Sequence, residues 1–367
     1  MSSQAPSDPT VISIDAMGGD HGPPVAVAGA ALGLADWRAR NVRFLLHGDQ
    51  AQIQAQLDRL PGLKAISEIR HTDLVIASDE KAAQAMRRGK GTSLWNAVEA
   101  IRQGEAGAVV SAGNSGALMA VSLLILRMAA GLERPAMVAN WPSVRGFTTV
   151  LDVGANVECD AERLIEFAIM GEAFHRALHG ATCPTVGLLN VGSEDQKGHE
   201  EVREAHRMLR AGHYNLDYRG FVEGDDITKG TVDVVVTDGF SGNIALKTAE
   251  GLARFIGGEI GAAFRGSPIN MLGALIARGA FNKLRARLDP SALNGAPLLG
   301  LNGIVIKCHG NSDAKGFANG IRVAVDLAQS QYVADFQRHL EQLTAARAER
   351  LEAAPIQASA PPTENNG

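Results

Sequence analysis

VISIDAMGGDHGPPVAVAGAALGLA, residues 11–35, decides the fold. Val11 to Asp15 has the β-branched, apolar composition of a buried strand, and Val25 to about Ala35 reads as helix. Between them stand Gly18 and Gly19, then Asp20, His21 and Gly22. Five later segments repeat this change: VVSAGNSG (109–116), LDVGANVE (151–158), LLNVGSEDQKG (188–198), VVTDGFSGN (235–243) and VIKCHGNSD (305–313). A glycine after a strand lets the chain turn with positive φ and lets a ligand approach the amides. The following helix start adds unpaired N–H groups and a partial positive charge. Such a junction favours an anion. In an open α/β sheet, strand carboxyl ends gather on one crevice, so these six junctions predict a single composite polar site.

The alternation continues outward. Val42 to His47 is a second strand, followed by helix from about Gln50 to Leu60. Further strand candidates are Ala108–Ser111, Met137–Asn140, Thr148–Asp152, Thr185–Asn190, Val232–Thr237 and Gly303–Lys307. Continuous Val, Ile and Leu runs mark strands buried on both faces, which predicts an α/β fold with a parallel sheet and helices on both faces. Residues 10–345 are expected to form one α/β body, with loose ends at 1–9 and 354–367, where Pro, Ser, Ala, Gln and Asn dominate. Leu252 to Leu288 joins two amphipathic helical patterns at Gly266-Ser267-Pro268 and reads as a projecting hairpin.

Composition narrows the class. A net charge of −5 over 367 residues argues against a nucleic-acid protein. Three cysteines, Cys159, Cys183 and Cys308, form no CxxC pair, and no apolar leader opens the chain, which points to a reducing cytoplasm. Ala117 to Ala130 is too short to span a bilayer and is broken by Arg127. The signatures of serine hydrolases (GxSxG), P-loop NTPases (GxxxxGK[ST]) and zincins (HExxH) do not occur.

What remains is an anion site without a protein nucleophile, as expected where the nucleophile is itself a substrate such as inorganic phosphate. Lys197 is either a solvated loop lysine or a point charge for a phosphate or an oxyanion. Asn243 is either a helix cap or a ligand donor. His21 and His309 flank glycines at strand ends, where a histidine serves as base, phosphate donor or ordinary turn residue. Cys308 reads as core rather than as a thiolate. Asp15, Asp20, Asp152 and Asp238 repel phosphate unless they orient donors or bind a metal, and the sequence leaves both roles open.

Taken in order, IDAMGGDHGP, SAGNSGALMA, LDVGANVEC, LLNVGSEDQKG, TDGFSGNIALKT and GLNGIVIKCHGNSD resemble the bacterial acyl-ACP:phosphate acyltransferases of the PlsX family over about Val11 to Leu340. The resemblance implies a fold like phosphotransacetylases and isocitrate-dehydrogenase-like enzymes. It also implies transfer of a fatty acyl group from acyl carrier protein to inorganic phosphate, giving acyl phosphate for phospholipid synthesis without cofactor or metal. Lys197 and Asn243 carry over as active-site candidates. The phosphate is expected at Gly18, Gly19, Asn114, Ser115 and Gly116, with Asp20, His21, Asn156, Asp238, Ser241, Gly242 and His309 as further substrate contacts. A homodimer is expected, as is cytoplasmic placement with peripheral membrane contact and handover to a membrane glycerol-3-phosphate acyltransferase. The hairpin carries six Arg and Lys against Glu259 alone, beside an apolar face. That face suits a dimer interface, core packing, a lipid surface or acidic acyl carrier protein. An acyl-CoA phosphotransacetylase, a metal-dependent β-decarboxylating dehydrogenase and an idle membrane scaffold are the competing readings.

Overall fold

The computed structural model describes residues 8–129, 131–212, 214–281, 283, 294–330, 332–333, 336–338 and 341. Residues 1–7 and 354–367 of the expected loose ends, and most of the hairpin beyond Phe281, lie outside them. Eleven strands form one sheet: β1 (Thr10–Asp15), β2 (Val42–Gly48), β3 (Ser67–His71), β4 (Ala108–Ser111), β5 (Ala136–Ser143), β6 (Gly146–Leu151), β7 (Thr185–Leu189), β8 (Asp217–Val222), β9 (Val234–Val236), β10 (Ala296–Leu299) and β11 (Ile304–Lys307). Their order across the sheet is β3-β2-β1-β4-β11-β10-β5-β6-β9-β7-β8.

The sheet is mostly parallel, with two departures from the expected pattern. β5 pairs antiparallel with β6, and β10 pairs antiparallel with both β11 and β5. Chain length explains the β5–β6 and β10–β11 pairings. Ser143 faces Gly146, so only Val144 and Arg145 join β5 to β6, whereas a parallel crossover needs a dozen or more residues. The departures divide the sheet into two parallel blocks that run in opposite senses: β3-β2-β1-β4-β11 and β6-β9-β7-β8. Leu151 pairs with Val138, while the adjoining Met137 pairs with Leu298, which in turn pairs with Val305. Both blocks therefore end at nearly the same height, and their tips leave the sheet in opposite directions. The single crevice expected from the sequence is replaced by two tip clusters.

β3, β8 and β10 were not legible as strands. β3 (SEIRH) and β8 (DYRGFV) are the outer edges, where one side meets solvent and charges replace the apolar run. β10 (APLL) is short and carries a proline. Helices cover both faces. Ala161–His179 buries Phe167, Ala173 and Phe174 in a core shared with Leu151 and Val234 of one block and Ile12, Phe44 and Ile306 of the other. On the opposite face, Leu246 and Ala249 of the helix Gly239–Arg265 pack on Trp141, Val150 and Val235.

Candidate active site

At the first tip cluster, Asp15, Ser111 and Lys307 form one cross-strand row at the ends of β1, β4 and β11. The Ser111 hydroxyl donates to Asp15 Oδ2 at 2.7 Å and accepts from the Gly113 amide at 3.0 Å. Gly19 takes φ 88°, a left-handed value that glycine adopts freely, and the Asp20 amide then donates to the Gly310 carbonyl at 2.8 Å. This contact ties the β1 turn to the β11 turn. Burial pushes the Asp15 carboxyl up, with Ser93 and Ser111 among the groups opposing the rise.

Above that row opens a cleft of about 770 Å³, lined by Met17, Gly19, Asp20, Gly113, Asn114, Ser115, Gly116, Lys307 and Gly310 together with Val75, Ile76 and Ala77. Asn114 caps the helix Ser115–Leu126: its Oδ1 accepts from the Ala117 amide at 3.0 Å. Its Nδ2 donates to the carbonyls of Ser78 and Glu80, fixing the apolar wall over the helix start. Of the expected substrate contacts, Gly19, Asp20, Asn114, Ser115 and Gly116 line this cleft. Gly18 packs behind it, where a Cβ would lie 2.5 Å from Asp15 Oδ2. His21 is exposed.

A second concavity of about 430 Å³ adjoins through the β11 turn and holds His309, Asn294, Ser312 and Asp313 with Lys247, Glu250 and Arg254. His309 Nε2 lies 3.5 Å from Glu250 Oε1, while Lys247 Nζ and Arg254 Nη1 approach Glu250 Oε2 at 2.9 and 4.0 Å. Burial lowers the His309 pKa, and the Glu250 carboxylate opposes that. Cys308 is wholly buried, and burial pushes its thiol up to about 12, as a core cysteine requires.

The second tip cluster is organised by Asp152. Its Oδ1 accepts from the amides of Met137, Gly154 and Ala155 at 3.0, 3.2 and 3.1 Å, and its Oδ2 from the amide and side chain of Asn156 at 2.6 and 2.8 Å. Asp152 thus orients donors of the turn. Asn156, expected to touch substrate, is instead buried with its side-chain amide donating to Asp152 and to the Pro135 carbonyl. Asp238 is the helix cap: its Oδ1 accepts from the Ser241 amide and its Oδ2 from the Ser241 hydroxyl, each at 2.8 Å. Ser241 is therefore engaged within the chain, and Gly242 is buried against the Asp152 carbonyl, where a Cβ would lie 2.0 Å away. Capping by Asp238 leaves Asn243 exposed beside Gly154, without a hydrogen-bond partner among the described residues.

Lys197 lies in the loop after β7, adjacent to β9 in the sheet, so it shares the Asn243 edge. The Asn190 side chain holds this loop by donating to the carbonyls of Gly192 and Lys197, each at 3.1 Å. Lys197 Nζ pairs with Glu194 Oε2 at 2.9 Å and is 49% exposed, so within this chain it is a surface ion pair. The helix Gly239–Arg265 connects the two clusters. Asn243, Lys247, Glu250 and Arg254 follow i, i+4, i+7 and i+11 spacing on one helix face. Two turns, roughly 10 Å, separate Asn243 from the Glu250 that meets His309.

Sequence reasoning missed Lys307. Its signal was a lysine closing the apolar run Ile304-Val305-Ile306, where a core strand ordinarily places no charge. No group of three or more His, Cys, Asp or Glu able to hold a metal occurs among the described residues. No helix among the described residues is long and apolar enough to cross a membrane.

Residues 10–335 match the family described as "Fatty acid synthesis protein". The chain is similar to the phosphate acyltransferase of Caulobacter vibrioides, with 66% identity over 342 residues that cover 93% of this chain and 94% of that protein. The phosphate acyltransferase of Phenylobacterium zucineum is 62% identical over 336 residues, covering 92% of this chain and 95% of that one. Among solved structures, a phosphotransacetylase from Streptococcus pyogenes superposes with TM-score 0.60 at 17% identity, covering 87% of this chain and 94% of that one. The EutD phosphotransacetylase from Staphylococcus aureus gives TM-score 0.56 at 17% identity, covering 88% and 94%. These two likenesses concern the fold.

Proposed function

The chain belongs to the fatty acid synthesis protein family that its phosphate acyltransferase relatives represent, and on that premise we propose that the cleft above Asp15, Ser111 and Lys307 is where phosphate meets an acyl thioester carried by acyl carrier protein. The enzyme transfers an acyl group to phosphate, and the acyl phosphate serves phospholipid synthesis. One observation carries the placement: a single cleft brings glycine turns and a helix start together with the apolar side chains of Met17, Val75, Ile76 and Ala77. The amides of the turns suit the dianion, and the apolar side chains suit the chain next to the thioester carbonyl.

In the transfer, an oxygen of HPO₄²⁻ attacks the thioester carbonyl carbon, the new C–O bond forms, and the C–S bond breaks. The phosphate proton passes to the departing sulfur, leaving acyl phosphate and a free thiol. Holding the two reactants at van der Waals distance supplies much of the rate. The free amide of Asn243 donates to the oxyanion, and Lys197, at the second tip cluster, supplies positive charge to the acyl carrier protein that presents the thioester. Asn243 stands two turns along its helix from Glu250, whose contact with His309 places that helix beside the β11 turn of the cleft.

The helical hairpin is the surface for partners. Ile269, Leu272, Leu275 and Ile276 are exposed beside Arg265, Arg278 and Lys283; Arg285 and Arg287 lie outside the described residues. An apolar stripe flanked by cations fits peripheral attachment to an anionic leaflet on the cytoplasmic side, which brings acyl phosphate to a membrane glycerol-3-phosphate acyltransferase. Leu252, Phe255 and Ile256, nearer the body and also exposed, are the face for a second copy of the chain.

The test is phosphate-dependent thiol release by the purified full chain, with palmitoyl-acyl carrier protein or palmitoyl-CoA as donor. Release from the carrier protein thioester, reduced in Lys197→Ala, is expected. Release from palmitoyl-CoA alone overturns the donor assignment, and phosphate-independent release from either overturns the reaction.

A further inference from the structure

Lys307 is 8% exposed at the end of a strand whose other residues are all buried and apolar. A lysine is seldom so enclosed unless a partner compensates its charge. The partners present are incomplete. Nζ donates to the Cys308 carbonyl, which engages one of three ammonium hydrogens. No carboxylate among the described residues comes within ion-pair distance, although Asp20 and Asp15 both exert their field on it. The ammonium lies in the wall of the cleft that also holds the amides of Gly113 to Gly116, level with Ser111 and Asp15 in the neighbouring strands.

Lys197 belongs to the other tip cluster. Five strand positions separate β7 from β11, roughly 24 Å at the spacing of paired strands, and the two tips leave the sheet in opposite directions. Resting on the reading that this cleft receives phosphate, we propose that Lys307 is the cation that binds it, with its two remaining ammonium hydrogens directed to phosphate oxygens beside the helix start at Ser115. A buried ammonium meets a dianion with little competing water, so the contact is stronger than that of a surface lysine. Burial, with Lys247 on the facing helix, lowers the Lys307 pKa against the opposing fields of Cys308, Asp20 and Asp15, so phosphate affinity is lost on the alkaline side as the free ammonium gives up its proton.

The experiment measures the KM for inorganic phosphate at saturating acyl donor, in full-length wild type, Lys307→Met, Lys307→Arg and Ser115→Pro. Ser115 is the first helical residue and Asn114 before it is extended, at φ −54° and ψ 124°, so proline there removes one cradle amide and leaves the helix start intact. Lys307→Met is expected to raise the phosphate KM on the order of 10- to 100-fold with the donor KM unchanged. Lys307→Arg should restore part of the affinity and abolish the alkaline loss, which a merely structural lysine would not do. An unchanged phosphate KM in Lys307→Met with a raised one in Ser115→Pro overturns the assignment of Lys307 and leaves the cleft standing. Unchanged values in both overturn the cleft itself. Should Lys307→Met fail to fold, the pH profile of Lys307→Arg decides: an alkaline loss identical to wild type refutes the proposal.

Discussion

His309 Nε2 stands 3.5 Å from Glu250 Oε1, and this contact joins the tip of β11 to a helix that begins behind β9, on the other parallel block. Glu250 also faces Lys247 and Arg254, so one carboxylate balances a cluster of cations at the mouth of the cleft. Glu250→Gln should move the His309 titration downward, since the group that favours its protonated form is gone. Imidazole proton NMR across pH 5 to 8 reads this. A midpoint that does not move would mean the pair is too far apart to couple.

Asn243 is free because Asp238 caps the helix in its place. Asn243→Ala is therefore expected to leave thermal stability within about 0.5 kcal/mol of wild type while turnover drops on the order of 10²-fold. A large loss of stability would return Asn243 to a structural role, and unchanged turnover would remove it from the site.

A methyl group at position 242 would meet the Asp152 carbonyl at 2.0 Å and Thr237 Cγ2 at 2.9 Å, whereas one at position 251, further along the same helix, meets nothing within 4 Å. Gly242→Ala should destabilise by about 3 kcal/mol, and Gly251→Ala should stabilise by roughly 0.5–1 kcal/mol through helix propensity. Urea denaturation compares them. Equal effects would show that the turn around Asp152 yields easily.

His47 is buried without a partner for either ring nitrogen among the described residues, and burial together with Arg70 lowers its pKa to about 4. His175 is likewise lowered to about 4, by burial first and then by His179. Both take up protons more readily when unfolded, so their contribution is fully present above the unfolded value near 6.5 and is lost as pH falls toward 4. Stability should decline across that window, and His47→Leu should flatten the decline without loss at pH 7. Denaturation midpoints at pH 7, 5.5 and 4.5 test this; an unaltered slope in His47→Leu rules His47 out.

Leu272 and Ile276 project from the hairpin, 59% and 79% exposed. Leu272→Glu with Ile276→Glu should abolish flotation with anionic liposomes and leave thiol release in solution intact. Flotation equal to wild type excludes the hairpin tip as the lipid contact.

The strand-end chemistry was legible in the sequence because it is local. An apolar run, a glycine, a small polar residue and a helix start are neighbours in the chain, so VISIDAMGGDHG and VVSAGNSG disclose a strand, a turn and an anion-suited helix start without any distant partner. The same locality hid the edge strands β3 and β8, whose solvent-facing sides carry polar residues, and gave no sign that Asn156 and Ser241, expected at substrate, bond within the chain. Which of these turns toward a carboxylate within the chain depends on how the Asp152 and Asp238 turns pack together.

By itself, then, the sequence determined the α/β class, the places where strands end and the kind of ligand those ends suit. Only the tertiary structure decided which ends meet. Short connections turn β6 against β5 and β11 against β10, which sets Lys197 and the Asn114 cleft in different tip clusters, while parallel pairing of β11 with β4 brings Lys307 into that cleft. Strand direction and register arise from pairings between residues distant in the chain, and a pattern read over a dozen residues carries no term for them.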